Sequence, residues 1–416
     1  ESKIWSVDVK EGKPTMLYTG DGVQPQWSPD GNLILFWGLP KGTGKRELWT
    51  MPAGGGEPVR LTDDDAIDWS PVWAPDGRGV YYLSNRGGTM NLWLLPIDPG
   101  SGKAAGAPEL RTLPTQNCTG LRVSRDGKKF IYLSTERRSN IHRAPFDPAT
   151  LRLTGPSVPV TEGSREFEYL SVSPDMRTLA FTLVGAQEDI GVMGIDGKGF
   201  RKLTNDRFKD RGPNWSHDGK KLAFYSERSG MYQIWTVSPD GSGIEQVTFE
   251  ADGGLIAWPK WMPGDRAIYI QSSDGGGIVD LNAPAGPGRV RRLKPYPGDA
   301  FFTGGTLSPD GRQLVGSIDQ GDGTGGGLAL YSFADSSYRK ILDEGSGAGW
   351  LADGRTILFI GGGTLKLVDV GSGKVTGLEG LPRFTDYSQF VMAPDNRTLY
   401  FSRVEIESDV WEAQAK

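Results

Sequence analysis

The chain has 416 residues, a net charge of −5 and 60 glycines, and its only cysteine is Cys118. No run of Lys or Arg is long enough to track a phosphate backbone, so nucleic acid is excluded as a partner. No stretch of about 18 apolar residues crosses a membrane, and a lone cysteine forms no intrachain disulfide. The glycines are roughly double ordinary usage and fall beside Pro, Asp, Asn and Ser, which predicts many tight turns between many short strands.

The opening Glu1-Ser2-Lys3-Ile4-Trp5 is not a signal peptide and lacks Met, so the chain reads as a mature or trimmed product. Residues 1–20 predict a third strand (Ile4 to Val9) and a fourth (Thr15 to Tyr18) with no first or second before them. A phrase of bulky apolar residue, small residue, Pro, Asp and Gly then recurs. It reads Trp27-Ser28-Pro29-Asp30-Gly31 and Trp73-Ala74-Pro75-Asp76-Gly77, with later copies anchored at Val123, Val172, Trp215, Trp261, Leu307, Trp350 and Met392. Nine copies give a period of about 46 residues, the size of a propeller blade. Pro presets the first corner of a type I turn, Asp suits the second, and Gly accepts the left-handed conformation that closes the hairpin.

After each turn comes a second strand, such as Leu33-Ile34-Leu35-Phe36 or Val80-Tyr81-Tyr82-Leu83. Loops such as Ser84-Asn85-Arg86-Gly87 and Ser226-Glu227-Arg228-Ser229-Gly230 follow. A third strand opens on an aliphatic-Trp pair (Leu48-Trp49, Leu92-Trp93, Ile234-Trp235), and a fourth ends in Leu-Thr or Val-Thr (Leu61-Thr62, Val247-Thr248). Four antiparallel strands with two apolar faces cannot bury both alone, so the repeats must stack around an axis. Recurring tryptophans read as packing between blades. The last segment supplies a first, a second and a third strand. The expected architecture is therefore an all-β propeller, a single domain over residues 1–416. It has eight complete blades plus a composite ninth, closed by pairing residues 1–20 with 389–416; an eight-bladed ring is the alternative.

The phrase Trp-Ser-Pro-Asp-Gly, a hydrophobic strand, Ser-x-Arg-x-Gly, an Ile-Trp strand and a final Leu-Thr or Val-Thr resembles the TolB-like propeller repeat, a relative of the WD repeat. The fullest copy runs from Trp215 to Thr248. The resemblance implies a protein-binding scaffold in the periplasm or another extracytoplasmic compartment, or a sensor domain behind a bacterial kinase or peptidase. It also admits propeller lyases that hold a metal with several histidines.

The residues speak against catalysis. There is no Gly-x-Ser-x-Gly elbow. The two histidines, His142 and His217, occupy repeat slots and build no multi-histidine metal site. No cofactor is expected. Calcium needs only oxygen ligands, and the acidic segments Asp63, Asp64, Asp65, Asp68 and Asp319, Asp322 supply some, but neither has EF-hand spacing. The links from the fourth strand of one blade to the first of the next gather at one mouth of a propeller channel, where loops vary without disturbing the packing. They carry the candidate ligand-binding residues Asp65, Asp68, Trp69, Arg165, Glu168, Asp210, Arg211, Trp258, Phe302 and Tyr387. The expected function is non-catalytic recognition of a protein, peptide or small ligand at that mouth, with no membrane insertion. The competing reading is a propeller lyase or hydrolase with a carboxylate or metal site in the channel.

Overall fold

A computed structural model describes residues 2–38, 46–64, 66–86, 90–111, 118–185, 187–250, 256–272, 275–321, 325–384 and 389–414. These are strands and turns, and among them no helix is long and apolar enough to cross a membrane.

The recurring phrase builds the expected hairpin. Ser28 Oγ donates to Asp30 Oδ1 at 2.6 Å, and the Leu33 amide donates back to Ser28 Oγ at 2.9 Å. The same Ser-Asp bond recurs at Ser124–Asp126, Ser173–Asp175, Ser216–Asp218 and Ser308–Asp310. The closing position is left-handed even where glycine is missing: Gly31 has φ 76°, Met176 61° and Asn396 55°. The turn therefore dictates the backbone, and the side chain adapts to it.

Nine residues after each anchor lies the centre of a second strand, where Phe36, Tyr82, Phe181, Phe224, Phe359 and Phe401 are fully buried. The Leu307 repeat has Gly316 there. A Cβ on Gly316 would come within 2.6 Å of the Phe302 ring, so Phe302 fills the place that the aromatic holds in its neighbours.

The chain divides into two compact units, residues 137–405 and residues 1–136 with 406–416. In the first, the Trp215, Trp261, Leu307 and Trp350 repeats each form a separate four-stranded antiparallel sheet, and the Val172 repeat forms four antiparallel strands of a larger one. Through a parallel Ser139–Glu166 bridge these four join a sixth set made of Phe390–Met392, the start of Thr398–Gln414, the second half of Lys129–Asp147, and Val158–Pro159. Consecutive sheets share apolar faces all the way round. Phe181 meets Tyr400, Val192 meets Trp215, and Ile234 meets Trp261. Tyr269 meets Phe302, Leu328 meets Trp350, and Leu358 meets Phe401, which closes the cycle at six. In the second unit the Trp27 and Trp73 repeats are also four-stranded sheets. Ile4 packs on Phe36, Leu48 on Trp73, and Leu83 on Phe130, as a stack.

Among the described residues, Ile4–Val7 pairs with Pro14–Tyr18. The Val123 and Met392 repeats depart from their hairpins. Lys129–Asp147 runs on as one strand, first against Cys118–Val123 and then against Val158–Pro159. Thr398–Gln414 is likewise continuous. Its first half lies beside the second half of Lys129–Asp147, where the Phe146 amide donates to Arg397 O at 2.8 Å and His142 stacks on Phe401 at 5.7 Å. Its last residues return to the other repeat, where Lys129 Nζ meets Glu412 at 3.0 Å. The two repeats have thus exchanged third strands. The cause is turn chemistry: the other seven repeats carry Gly between their second and third strands, whereas Thr135-Glu136-Arg137-Arg138 and Arg403-Val404-Glu405-Ile406 carry none.

The anchor tryptophans follow this layout. Trp73, Trp215, Trp261 and Trp350 are buried, and Trp261 Nε1 donates to Asn214 O of the preceding sheet at 3.1 Å. Trp27 is 55% exposed because residues 1–20 provide no first strand for it to lie on. Trp5 and Trp411, expected as packing residues, are exposed too.

Candidate functional site

The first strand of five of these sheets carries a β-bulge, seen as a register shift between Glu168 and Ser171, Arg211 and Asn214, Ala257 and Lys260, Thr303 and Thr306, and Ser346 and Gly349. The bulged residue, three before the anchor, takes a left-handed conformation. In residues 137–405 it is Tyr169 (φ 54°), Gly212 (62°), Trp258 (47°), Gly304 (67°) and Gly347 (58°). All five, together with Gln389 in the corresponding slot of the sixth sheet, line one cavity of about 710 Å³. The repeat therefore places five bulges, and the aligned Gln389 of the sixth set, around a common space, as bulges near binding sites commonly do.

Glycine suits this conformation, and three slots have it. Trp258 and Tyr169 adopt it at a cost of order 1–3 kcal/mol each, which must be offset by their surroundings. Both rings are held by Tyr225, at centroid distances of 5.8 Å to Trp258 and 6.5 Å to Tyr169. The Tyr169 amide donates to Gln389 Oε1. Burial pushes the Tyr169 phenol up from its ordinary value, and Tyr232, 5.4 Å from Tyr225, is pushed up to about 12 for the same reason.

One residue before the anchor, side chains tie a sheet to its neighbour. Ser171 Oγ accepts from the Trp215 amide at 3.3 Å, Asn214 Oδ1 accepts from the Trp261 amide at 2.9 Å, and Thr306 Oγ1 donates to Ala348 O at 2.9 Å. Lys260 occupies that slot and makes no such bond. It lines the cavity half-buried, and burial alone pushes its ammonium below the ordinary lysine value of 10.5. Among the described lining residues Asp319 is the one carboxylate, and its Oδ1 accepts from the Gly321 amide at 2.8 Å.

Of the residues singled out in the sequence, Trp258 lines this cavity. Asp65 and Tyr387 lie outside the described residues, as does Asp322. Asp68 is buried and paired with Arg86 at 3.1 Å, and Asp210 is buried and paired with Arg228 at 2.6 Å. Each arginine also lies over aromatic rings: Arg86 over Tyr82 and Trp93, Arg228 over Phe208, Phe224 and Trp235. The Ser-x-Arg loop thus locks an inward aspartate into an ion pair within its own sheet. Arg211 is bound to Glu188 (2.5 Å) and Glu168 to Arg137 (2.6 Å). Trp69 lies under Arg46 at 5.0 Å, exposed Arg165 lies over Phe200 at 4.6 Å, and Phe302 is core. Among the acidic candidates for calcium, Asp63 pairs with Arg60 at 2.6 Å and Asp64 with Arg86 at 3.1 Å. No cluster of His, Cys, Asp or Glu able to hold a metal occurs among the described residues. Tyr169, Lys260 and Gln389 were missed by reading loops. Counting back three and one from each anchor would have found them.

Six four-stranded antiparallel blades, two of them joined by the Ser139–Glu166 bridge, closed around a central cavity define residues 137–405 as a β-propeller. The chain matches the TolB beta propeller domain over residues 1–157 and 170–347, and it belongs to that family. An uncharacterized protein of Agrobacterium fabrum is 31% identical over 206 residues, covering 48% of this chain and 64% of that one. The Tol-Pal system protein TolB of Rhizorhabdus wittichii is 35% identical over 85 residues, 20% of this chain and 19% of the relative. The chain thus spans less than two thirds of these relatives. Among solved structures, TolB from Acinetobacter baumannii is 18% identical with a TM-score of 0.33, over 74% of this chain and 63% of that one. Oligogalacturonate lyase from Vibrio parahaemolyticus is 13% identical with a TM-score of 0.31, over 96% of each.

Proposed function

We propose that the propeller of residues 137–405 is a non-catalytic recognition module that takes a peptide, a protein segment or a small ligand into its central cavity. The observation that carries this is the ring of bulge positions. Two of its six slots hold large aromatics in a backbone conformation that costs energy, and both residues line a space of ligand size, about 710 Å³. Strain kept at a cavity wall, where glycine serves elsewhere in the same ring, is what a binding function would maintain. The family supports a protein-binding role and an extracytoplasmic location, as a sensor or scaffold within a larger bacterial protein.

The test is a fragment and short-peptide screen on the full chain, read by the indole NMR signal of Trp258 and repeated on Trp258→Ala. Ligands that shift this indole in the parent protein and lose affinity by about tenfold or more in the variant support the reading. Ligands that bind equally well without Trp258 and leave its signal unmoved overturn it.

A further inference from the structure

The geometry points to a carboxylate-bearing ligand for this cavity, its acid group on Lys260 Nζ and its apolar or aromatic body against Trp258 and Tyr169. This rests on the cavity being a recognition site, and it adds the ligand's chemistry.

The argument starts from the repeat. In the slot before the anchor, Ser171, Asn214 and Thr306 are neutral and spend their polar atoms on a neighbouring sheet. Gln26, in the other unit, does the same through a 3.0 Å bond from its amide to Pro71 O. The slot tolerates other residues, since it holds Val72, Gly349 and Val391 in other repeats and the exposed Arg122 in another. Within the ring of residues 137–405 Lys260 is its one cation, and it lines the cavity wall. No ion pair joins it to an acid among the described residues, and burial pushes its ammonium below the ordinary lysine value. Asp319, the one carboxylate among the described lining residues, is engaged by the Gly321 amide. A desolvated cation without a counter-charge is costly, and an anionic ligand removes that cost.

The surroundings select the kind of anion. A phosphate dianion is held by arginine forks or by several converging backbone amides. The described lining offers one lysine and the paired hydroxyls Thr303 and Ser317, which sit opposite each other in register, and this suits a monoanion. The Trp258 and Tyr169 rings then provide an apolar wall for the remainder, while Gly212, Gly304, Gly305, Gly347 and Gly349 leave room for it.

The experiment uses the full chain and two probes of the same shape, N-acetyl-phenylalanine and N-acetyl-phenylalaninamide, titrated by calorimetry and by the Trp258 indole signal. The acid should bind about tenfold or more tighter than the amide. Lys260→Met should bind the acid only as well as the amide, and Lys260→Arg should restore the preference. Thermal melting establishes that both variants are folded. Equal binding of acid and amide to the parent, or a preference that survives Lys260→Met, overturns the anion assignment; if Trp258 still responds, the recognition reading stands. If neither probe reaches Trp258, both fall.

Discussion

Removing the guanidinium of Arg228 should cost about 3–5 kcal/mol of stability, the range for stripping one partner from a buried ion pair. Asp210 has no exposed side-chain surface, and Arg228 donates to it at 2.6 Å while itself nearly enclosed. At an effective dielectric of about 20, two unit charges 4 Å apart interact by about 4 kcal/mol, the same magnitude. Contact with the Phe224 and Trp235 rings adds about 1 kcal/mol. An exposed pair would give about 0–1 kcal/mol, so the measurement discriminates. The assay is denaturant unfolding of Arg228→Ala, read by near-ultraviolet circular dichroism. The pH dependence has a definite sign. Burial raises the Asp210 pKa above 3.8 even with Arg228 present. Its stabilising contribution is therefore complete below that value and is lost as pH rises through the raised one. Without Arg228 the pKa rises further, so the variant's deficit is largest near neutrality and shrinks on acidification. Pairing Arg228→Met with Asp210→Asn should recover most of the loss. A deficit under about 1 kcal/mol at neutral pH, or one that grows in acid, refutes the role given to this pair.

Three other outcomes are expected. Tyr269→Phe removes a fully buried hydroxyl that has no hydrogen-bond partner among the described residues, and unfolding should show no loss or a gain of about 1 kcal/mol. Trp258→Gly relieves about 1–3 kcal/mol of backbone strain and gives up ring packing on Tyr225; stability should change little while the cavity loses its ligands. Zero-length carbodiimide coupling should join Lys129 to Glu412, detected by peptide mass spectrometry, because exchanged third strands bring their charges to 3.0 Å. Failure of that link, under conditions where Lys221 and Glu245 at 2.8 Å do couple, would contradict the exchange.

The sequence alone determined the unit of construction. Turn stereochemistry and a two-residue alternation act over a few residues, so the Pro-Asp-Gly corners and the buried second strands were legible at each of the nine anchors. Even the exchange left a local trace, in the missing glycines of Thr135-Glu136-Arg137-Arg138 and Arg403-Val404-Glu405-Ile406. What those residues pair with was decided by tertiary structure, because a strand's edge accepts any chain of suitable register and the choice depends on which faces are buried together. The same reason hid the site. Asp210, Arg211 and Glu168 look like free loop charges in sequence, yet each is neutralised by a residue 18 to 31 positions away. Lys260 looks like an ordinary strand residue. Only the closing of six sheets turned its slot toward a shared cavity and left its charge without a partner among the described residues.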